Sequence, residues 1–358
     1  MQKTKILNYI NVFRGLAILL IIMGHTMQFG VGLTHRISSE VFCGGTALFI
    51  FISGFLFQHL SYKFEYKTYL SKKWTNVILP YLITAIPGLC FCFIYPIAYK
   101  NPFLDLNPII QTPLLLSIGR VHNTPTWFIP MIVIFFVFSF LFLKLEKKNI
   151  LYKLLPLLFL ITIFVPRGSI EFEDTIGLSN SNISNIYIYI RYIRYVILGF
   201  VHFLSLYILG MYCSKNKQII DKFYNYRFFL WILMISSSLA DIYFNIENFT
   251  ISKTFLTLLV LGYLKHYDEF ILSHQKTNKT LDFIAKYSFG IFFVHWYWFF
   301  IYNQIFNLNS VITGQNALLL VIIRFFAVAV LSILSLFIAK TLLLKINPDI
   351  NTRKFIGI

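Results

Sequence analysis

The chain has 358 residues, of which 58% are hydrophobic and only 13% are charged. A soluble domain carries about 25% charged residues, so this composition excludes an ordinary soluble protein and indicates a membrane protein with several spans. The formal net charge is +17, an excess that is also typical of proteins that bind nucleic acid. The positions of the basic residues along the chain decide between the two.

Ten segments are candidate transmembrane helices. A helix needs about 20 mostly apolar residues to cross a hydrocarbon core about 30 Å thick, because each residue advances about 1.5 Å. The segments are 6–29, 42–60, 77–99, 126–143, 151–165, 195–213, 228–246, 252–264, 284–306 and 316–344. The fifth and the eighth are short, which leaves open re-entrant or broken helices there. We predict an all-α, polytopic membrane helix bundle of about ten transmembrane helices, with residues 1–358 forming a single integral-membrane domain.

The basic residues alternate from one connection to the next. Counted together with the adjoining ends of the spans, the N-terminal tail, the even-numbered connections and the C-terminal tail hold 22 of the 31 Lys and Arg residues, whereas the odd-numbered connections hold 7. The positive-inside rule places the basic connections in the cytoplasm. We therefore predict that both termini are cytoplasmic and that the lipid bilayer, without any nucleic acid, accounts for the positive charge.

The longest connection on the predicted outer side is 166–194. It is rich in Ser and Asn and carries three acidic residues, Glu171, Glu173 and Asp174. A connection of this length either forms a lid over an outer site or is a disordered connector.

Cysteines and nucleotide-binding motifs give no sign of a metal or of ATP. The four cysteines lie in or beside predicted spans without metal-ligand spacing, so we expect buried thiols and no bound metal. The chain has no Walker loop and no dinucleotide fingerprint. ATP-driven transport by this chain alone is therefore not expected.

Two ionisable residues, Arg14 and His25, interrupt the first span. Such groups are costly in a bilayer unless they face protein or water. Eleven residues at about 100° per residue bring both side chains to one face of a helix, about 16 Å apart along its axis. An arginine near the cytoplasm suits a phosphate, and a histidine in the outer half suits a proton acceptor. In the structural alternative, Arg14 extends to the inner headgroups and His25 hydrogen-bonds a neighbouring helix.

Three further ionisable residues in later spans are candidates for the same site. His295 lies near the middle of the ninth span, and Arg324 lies at a similar depth in the tenth. Each either lines the same cavity as His25 or takes part in a structural bond. Asp241, near the outer end of the seventh span, is an acid that could pair with one of them.

Six short sequence motifs occur along the chain. They are 13–25 (FRGLAILLIIMGH), 49–56 (FIFISGFL), 79–81 (LPY), 126–130 (TWFIP), 209–211 (LGM) and 287–295 (YSFGIFFVH). The first resembles the Arg-x10-His opening helix of membrane-bound acyltransferase family 3, and the others resemble that family's later motifs in the same order. Each motif alone is weak, but together they extend the resemblance over essentially the whole chain.

The resemblance implies a polysaccharide O-acetyltransferase-like enzyme of the bacterial cytoplasmic (inner) membrane. Such enzymes take an acyl group, usually acetyl from cytoplasmic acetyl-CoA, and place it on a hydroxyl of an extracytoplasmic glycan such as O-antigen, capsule or another exopolysaccharide, or on a lipid-linked saccharide. His25 would be the catalytic residue, as general base or as carrier of the acyl group. Arg14 would be its catalytic partner and would hold CoA.

The chain departs from the family pattern at other positions. Lys72 and Lys73 stand where the family often has Arg-x-x-Arg, so they keep the charge for binding CoA phosphates without the bidentate guanidinium. Thr126 replaces a frequent histidine before the WFL motif; the adjacent Trp127, with His295 and Arg324, is a candidate for binding the acceptor. We expect no fused esterase-like domain, so transfer is direct or is completed by a separate polysaccharide biosynthesis protein.

The main alternative is a polysaccharide exporter or flippase without acyl-transfer chemistry. A translocation path would show aromatic and acidic residues along several spans, whereas Arg14 and His25 form one track along one helix. The sequence therefore favours the acyltransferase. It also favours an enzyme over a membrane scaffold, which would tolerate the loss of both residues.

Overall fold

A computed structural model describes residues 7–95, 102–103, 106–121, 125–165, 167, 185–246 and 248–358. These residues are mainly helical and contain no β-strand. The helices are α1 (Asn8–Thr26), α2 (Leu33–Phe42), α3 (Thr46–His59), α4 (Tyr66–Lys73), α5 (Leu79–Thr84), α6 (Ile86–Ile94), α7 (Pro108–Ile118), α8 (Phe128–Val137), α9 (Ser139–Lys147), α10 (Leu155–Phe164), α11 (Asn185–Lys215), α12 (Gln218–Asn225), α13 (Arg227–Phe244), α14 (Thr250–His266), α15 (Asp268–Ser273), α16 (Gln275–Ile305), α17 (Ala317–Ile346) and α18 (Thr352–Ile356). A π-helical stretch, Trp74–Ile78, joins α4 to α5.

Each predicted span overlaps a helix, and the all-α prediction is confirmed for the described residues. Within the described ranges, six stretches are long and apolar enough to cross a membrane, and α8 with α9, bent by 45°, forms a seventh if the pair is one span. The six are Asn8–Thr26, Leu33–His59, Tyr66–Ile94, Asn185–Lys215, Arg227–Phe244 and Ala317–Ile346. The number ten and the cytoplasmic termini stay predictions. Helix α16 is also long, but its Tyr, Trp and His residues lower its mean hydropathy.

The last part of the predicted outer loop at 166–194 is helical. Helix α11 begins at Asn185 and so includes the last ten residues of that loop. The apolar window ends at Arg191 and Arg194, whereas the helix continues through these charged residues. Residues 166 and 168–184 of the loop lie outside the described residues, and its role as a lid stays a prediction.

The chain divides into two compact units, which are described separately. The first comprises Met1–Lys63, Ser205–Leu342 and Ile358, and the second comprises Phe64–Leu204 and Leu343–Gly357. In the first unit α1 packs most extensively on α16 and also contacts α3 and α14. In the second unit α5 and the π-helical stretch pack against the short helix α18.

Two of the sequence motifs meet where α3 crosses α11 in the first unit. A Cβ atom on Gly54 would stand 2.0 Å from the carbonyl oxygen of Tyr207, and one on Gly210 would stand 2.1 Å from that of Phe51. Only glycine lets the two backbones approach this closely. The glycines of the FIFISGFL and LGM motifs therefore serve helix packing.

Replacing Gly54 with Ala tests this close crossing. The added methyl group would push α3 away from α11, and overpacking of this kind costs about 1–3 kcal/mol. We expect Gly54→Ala to lower the midpoint of thermal unfolding in detergent. Gly199→Ala is the control, because a Cβ atom there meets its nearest neighbour, the Met131 sulfur, at an ordinary 3.4 Å. Equal midpoints for the two variants would contradict the packing role.

Candidate functional site

The side chains of Arg14 and His25 both contact α16. Arg14 Nη2 donates a hydrogen bond of 2.5 Å to the carbonyl oxygen of Ala285. The His25 ring lies 5.4 Å from the ring of His295 and 4.9 Å from that of Trp296, measured between ring centroids. Because the partners on α16 are also ten or eleven residues apart, α1 and α16 run side by side in the same direction.

Polar contacts near the start of α1 fix its position along the axis of α16. Asn8 donates a 3.0 Å hydrogen bond to the carboxylate of Asp268 in α15, and Asn11 donates to the carboxylate of Asp282 in α16. These contacts continue the row formed by Arg14 and His25. Sliding α1 along α16 would break them together, so they hold the two ionisable residues at fixed heights.

His295 presents a hydrogen-bond acceptor next to His25. Its side chain is fully buried, and its Nδ1 lies 2.9 Å from the carbonyl oxygen of Ile291. A carbonyl can only accept, so Nδ1 carries the hydrogen, and Nε2 of the neutral ring is an acceptor. In the described part of the chain, Nε2 has no hydrogen-bond partner. A buried polar atom without a partner is costly, which favours a role with a ligand.

Arg324 is fully buried and donates to neutral oxygen atoms. Its Nε donates to the carbonyl of Thr26 at 2.8 Å, at the end of α1. Its two terminal nitrogens donate to the side chain of Asn303 and to the carbonyls of Asn309 and Ser310, at 2.9–3.2 Å. One guanidinium group thus joins the end of α1 to the end of α16 and to the connection that follows it.

Two backbone hydrogen bonds connect the segments that follow the same two helices. Gly30 N donates to the carbonyl of Ile312 at 2.9 Å, and Ile312 N donates to the carbonyl of Gln28 at 3.3 Å. The segment after α1 is therefore paired with the segment after α16, beside the Arg324 contacts. Arg324 has a structural role here, and its role in binding the acceptor stays a prediction.

Asp241 does not pair with His295 or Arg324, which was one expectation from the sequence. Its Oδ1 accepts a 2.9 Å hydrogen bond from the backbone N of Asn248, and its other interactions are with Glu40 and Lys253. Glu40 lies in α2, outside the segments predicted as spans, so hydropathy gives no reason to single it out. Its burial, at 3% exposure, becomes visible only in the fold.

Lys72 and Lys73 lie in the second unit, at the end of α4. The Lys73 ammonium is 4.5 Å from the ring centroid of Phe136 and 5.2 Å from that of Tyr69, whereas Lys72 is exposed. Arg353 of α18 is close enough to Lys73 for their charges to interact. The three cations form a basic cluster, and its binding of CoA phosphates stays a prediction. The short helix that carries Arg353 is not apparent from the sequence pattern.

Trp127 also lies in the second unit, just before α8. Its ring stacks on Phe203 with 6.4 Å between centroids, and the guanidinium of Arg167 lies 4.7 Å from the ring centroid. These contacts position the ring, and its binding of an acceptor stays a prediction. Among the described residues, no group of three His, Cys, Asp or Glu side chains could hold a metal ion.

Replacing Arg324 with Gln separates its two possible roles. The shorter side chain leaves buried carbonyls such as that of Thr26 without a donor, and each costs about 1–3 kcal/mol. We expect a clearly lower midpoint of thermal unfolding than that of the wild type. Lys340→Gln is the control, on the same helix. An unchanged midpoint would contradict the structural role and leave substrate binding as the explanation for the buried charge.

Comparison with known proteins places the chain in a family. The sequence model of acyltransferase family 3, described as an acyltransferase domain, matches residues 7–339. No curated protein and no solved structure gives a significant match. The matched range includes more than nine-tenths of the chain and every candidate residue from Arg14 to Arg324. The chain therefore belongs to acyltransferase family 3 and is a multi-pass membrane acyltransferase.

Proposed function

We propose that this protein transfers an acetyl group from cytoplasmic acetyl-CoA to a hydroxyl of an extracytoplasmic or lipid-linked glycan, such as O-antigen, capsule or another exopolysaccharide. The observation that carries the proposal is the placement of Arg14 and His25 on the face of α1 that packs against α16. Family membership supports acyl transfer. The separation of the two residues along α1 supports a donor that arrives from one side of the membrane and an acceptor that arrives from the other.

His25 is the general base in the proposed reaction. It takes the proton of the acceptor hydroxyl while that oxygen attacks the thioester carbon of the donor. A C–O bond forms, the C–S bond breaks, and the thiolate of CoA leaves and receives the proton from His25. His25 lies in the last turn of α1, where the helix favours a positive charge. This position suits a residue that becomes cationic during the reaction.

Arg14 is proposed to hold the donor. Its hydrogen bond to the carbonyl of Ala285 sets the direction of the guanidinium group. The positive charge of that group suits a phosphate or the polar pantetheine arm of CoA. An extended pantetheine arm is comparable in length to the separation of about 16 Å between Arg14 and His25. The thioester can then reach His25 while the phosphates stay near the cytoplasmic surface.

His295 is proposed to orient the acceptor. Its Nε2 is an acceptor beside His25, so it suits a second hydroxyl of the same sugar. A sugar held at two hydroxyls has its reacting oxygen in a defined position, which is a large part of what an enzyme contributes to such a reaction.

The cytoplasmic termini and the bacterial inner membrane belong to this proposal and are supported by the alternation of basic residues. Transfer to the glycan is direct or is completed by a separate polysaccharide biosynthesis protein. The activity of the purified protein with glycan alone distinguishes these two routes.

Replacing His25 with Ala is expected to abolish O-acetylation of the glycan. A general base contributes about 10²–10⁴-fold to a rate, so CoA release by purified protein should fall by about that factor. The acetyl content of the surface glycan, measured by NMR, should fall to the level of a strain lacking the gene. His274→Ala is the control, because His274 is exposed and bonds locally to Phe270. Wild-type acetylation in the His25→Ala strain would refute the mechanism.

The gene deletion also separates the acyltransferase from an exporter. An acyltransferase strain without the gene keeps its surface polymer and lacks only the acyl groups. Loss of the polymer itself, measured as total surface polysaccharide, would support the exporter and contradict the proposed function.

Replacing Arg14 with Ala is expected to weaken donor binding. A lost hydrogen bond to a charged group corresponds to about 1.5–3 kcal/mol, so the half-saturating concentration of acetyl-CoA should rise about 10- to 100-fold. Steady-state release of CoA in proteoliposomes measures this change. Lys286→Ala is the control, because Lys286 is an exposed cation next to Ala285 on α16. An unchanged half-saturating concentration would remove Arg14 from the donor site.

A further inference from the structure

An apolar groove of about 320 Å³ lies in the second unit, between α8 and the segment formed by α4 and the π-helical stretch. Its two walls are formed by the side chains of Leu70, Trp74 and Ile78 on one side and of Val133, Phe136 and Val137 on the other. The groove is open to the surface, because Trp74 is 54% exposed. At the surface of a membrane protein such a groove meets lipid, so its shape and chemistry suit an alkyl chain.

The backbone holds both walls of the groove in place. Leu79 N donates to the carbonyl of Trp74, five residues earlier, which is the hydrogen bond of a π-helix. A turn of π-helix holds more residues than the 3.6 of an α-helix, so Trp74 and Ile78 stay on one face. The Tyr66 hydroxyl donates to the carbonyl of Val137 at 3.0 Å and joins α4 to the end of α8. Short π-helical segments of this kind are frequent at functional sites.

The basic cluster of Lys72, Lys73 and Arg353 adjoins the groove. Lys73 lines the groove, with its ammonium 4.5 Å from the ring centroid of Phe136. The neighbouring charge that acts on Lys73 is the positive charge of Arg353. None of the three cations forms an ion pair with a carboxylate among the described residues. An anion placed between the cations would offset their mutual repulsion.

The acid on α4 lies away from the cluster. Glu65 precedes the first turn of α4, where it accepts a 2.6 Å hydrogen bond from the Thr68 hydroxyl. Lys72 and Lys73 lie in the last turn of the same helix. The end of α4 that meets the groove is therefore positively charged.

The position of the cluster matches the level of lipid headgroups. Lys72 and Lys73 lie just before the predicted span 77–99, and the exposed Trp74 follows them. Trp residues are enriched where a span meets the membrane surface. In a phospholipid a phosphate adjoins alkyl chains, as the cations adjoin the apolar groove. In CoA the phosphates adjoin a nucleotide and the polar pantetheine arm, which an apolar groove does not suit.

We propose that this site binds an anionic phospholipid, with one acyl chain in the groove and the headgroup phosphate on Lys72, Lys73 and Arg353. Ammonium and guanidinium groups donate charge-assisted hydrogen bonds to phosphate, and basic pockets between membrane helices bind anionic headgroups. The bound lipid joins α4, α8 and α18, so anionic lipid stabilises the second unit. The inference goes beyond the proposed acyl transfer and does not depend on it.

The test measures the thermal midpoint of the purified full-length protein in detergent with three added probes. They are phosphatidylglycerol, the zwitterionic phosphatidylcholine and glycerol 3-phosphate, which has no chains. A ligand that binds the folded state raises the midpoint. Phosphatidylglycerol should raise it at concentrations where glycerol 3-phosphate does not, because each buried methylene adds about fourfold to affinity. An equal rise with phosphatidylcholine, or with glycerol 3-phosphate, would overturn the proposal.

A variant without the two lysines connects the effect to the cluster. In Lys72→Gln/Lys73→Gln, the phosphatidylglycerol concentration that gives half of the rise should increase about tenfold or more, as expected for lost hydrogen bonds to a charged group. Lys276→Gln/Lys279→Gln is the matched control, since it removes two exposed cations from α16. An unchanged concentration in the cluster variant, or an equal increase in the control, would contradict the proposal.

A second variant keeps the test decisive if the double substitution lowers the midpoint without lipid. Arg353 is exposed, so Arg353→Gln should weaken the response to phosphatidylglycerol and leave the midpoint without lipid unchanged. CoA, the ligand that the family resemblance implies for Lys72 and Lys73, is tested as a fourth probe. Its effect on the midpoint should be the same in the wild type and in both cluster variants. If the variants weaken CoA binding as much as phosphatidylglycerol binding, the lipid assignment fails.

Discussion

One buried arginine holds the ends of two helices together, and the candidate site depends on it. The guanidinium of Arg324 donates to the carbonyl that ends α1 and to three oxygens at and after the end of α16. A guanidinium group has five N–H donors in a rigid plane, so it can satisfy several segments at once. Because Arg324 is fully buried, its loss would leave these oxygens without a donor. Arg324 therefore acts here through the arrangement of its N–H donors and not through its charge.

The position of the two histidines follows from this contact. Thr26, which accepts from Arg324, is the residue after His25, and Asn303 lies two turns of α16 beyond His295. Fixing these two points fixes the approach of the two imidazole rings to 5.4 Å. Both rings lie on helices. A site built on helices keeps its geometry more precisely than a site built on loops.

Local periodicity makes part of this arrangement predictable from sequence. The common face of Arg14 and His25 follows from helical geometry alone, and the apolar segments correctly indicate helices. The identity of the helix that these residues face is a tertiary contact between positions 271 residues apart, which no local pattern encodes. For the same reason, the sequence does not predict the contact between Glu40 and Asp241. Their pairing joins α2 to α13, and α2 is too polar to be predicted as part of a span. The start of α11 at Asn185 is not apparent from the sequence, because hydropathy reports where a helix is apolar, which is only part of its length.

The parallel packing of α1 on α16 has a consequence for synthesis. At about 5–20 residues per second, the ribosome needs about 15–50 s to make the 271 residues that separate Arg14 from Ala285. Throughout that time Arg14 and His25 are already part of the nascent chain, but their partners on α16 have not yet been synthesised. Arg324 follows later still. The candidate site is therefore completed at the end of translation, so a truncated chain that ends before α17 has inserted helices but no assembled site.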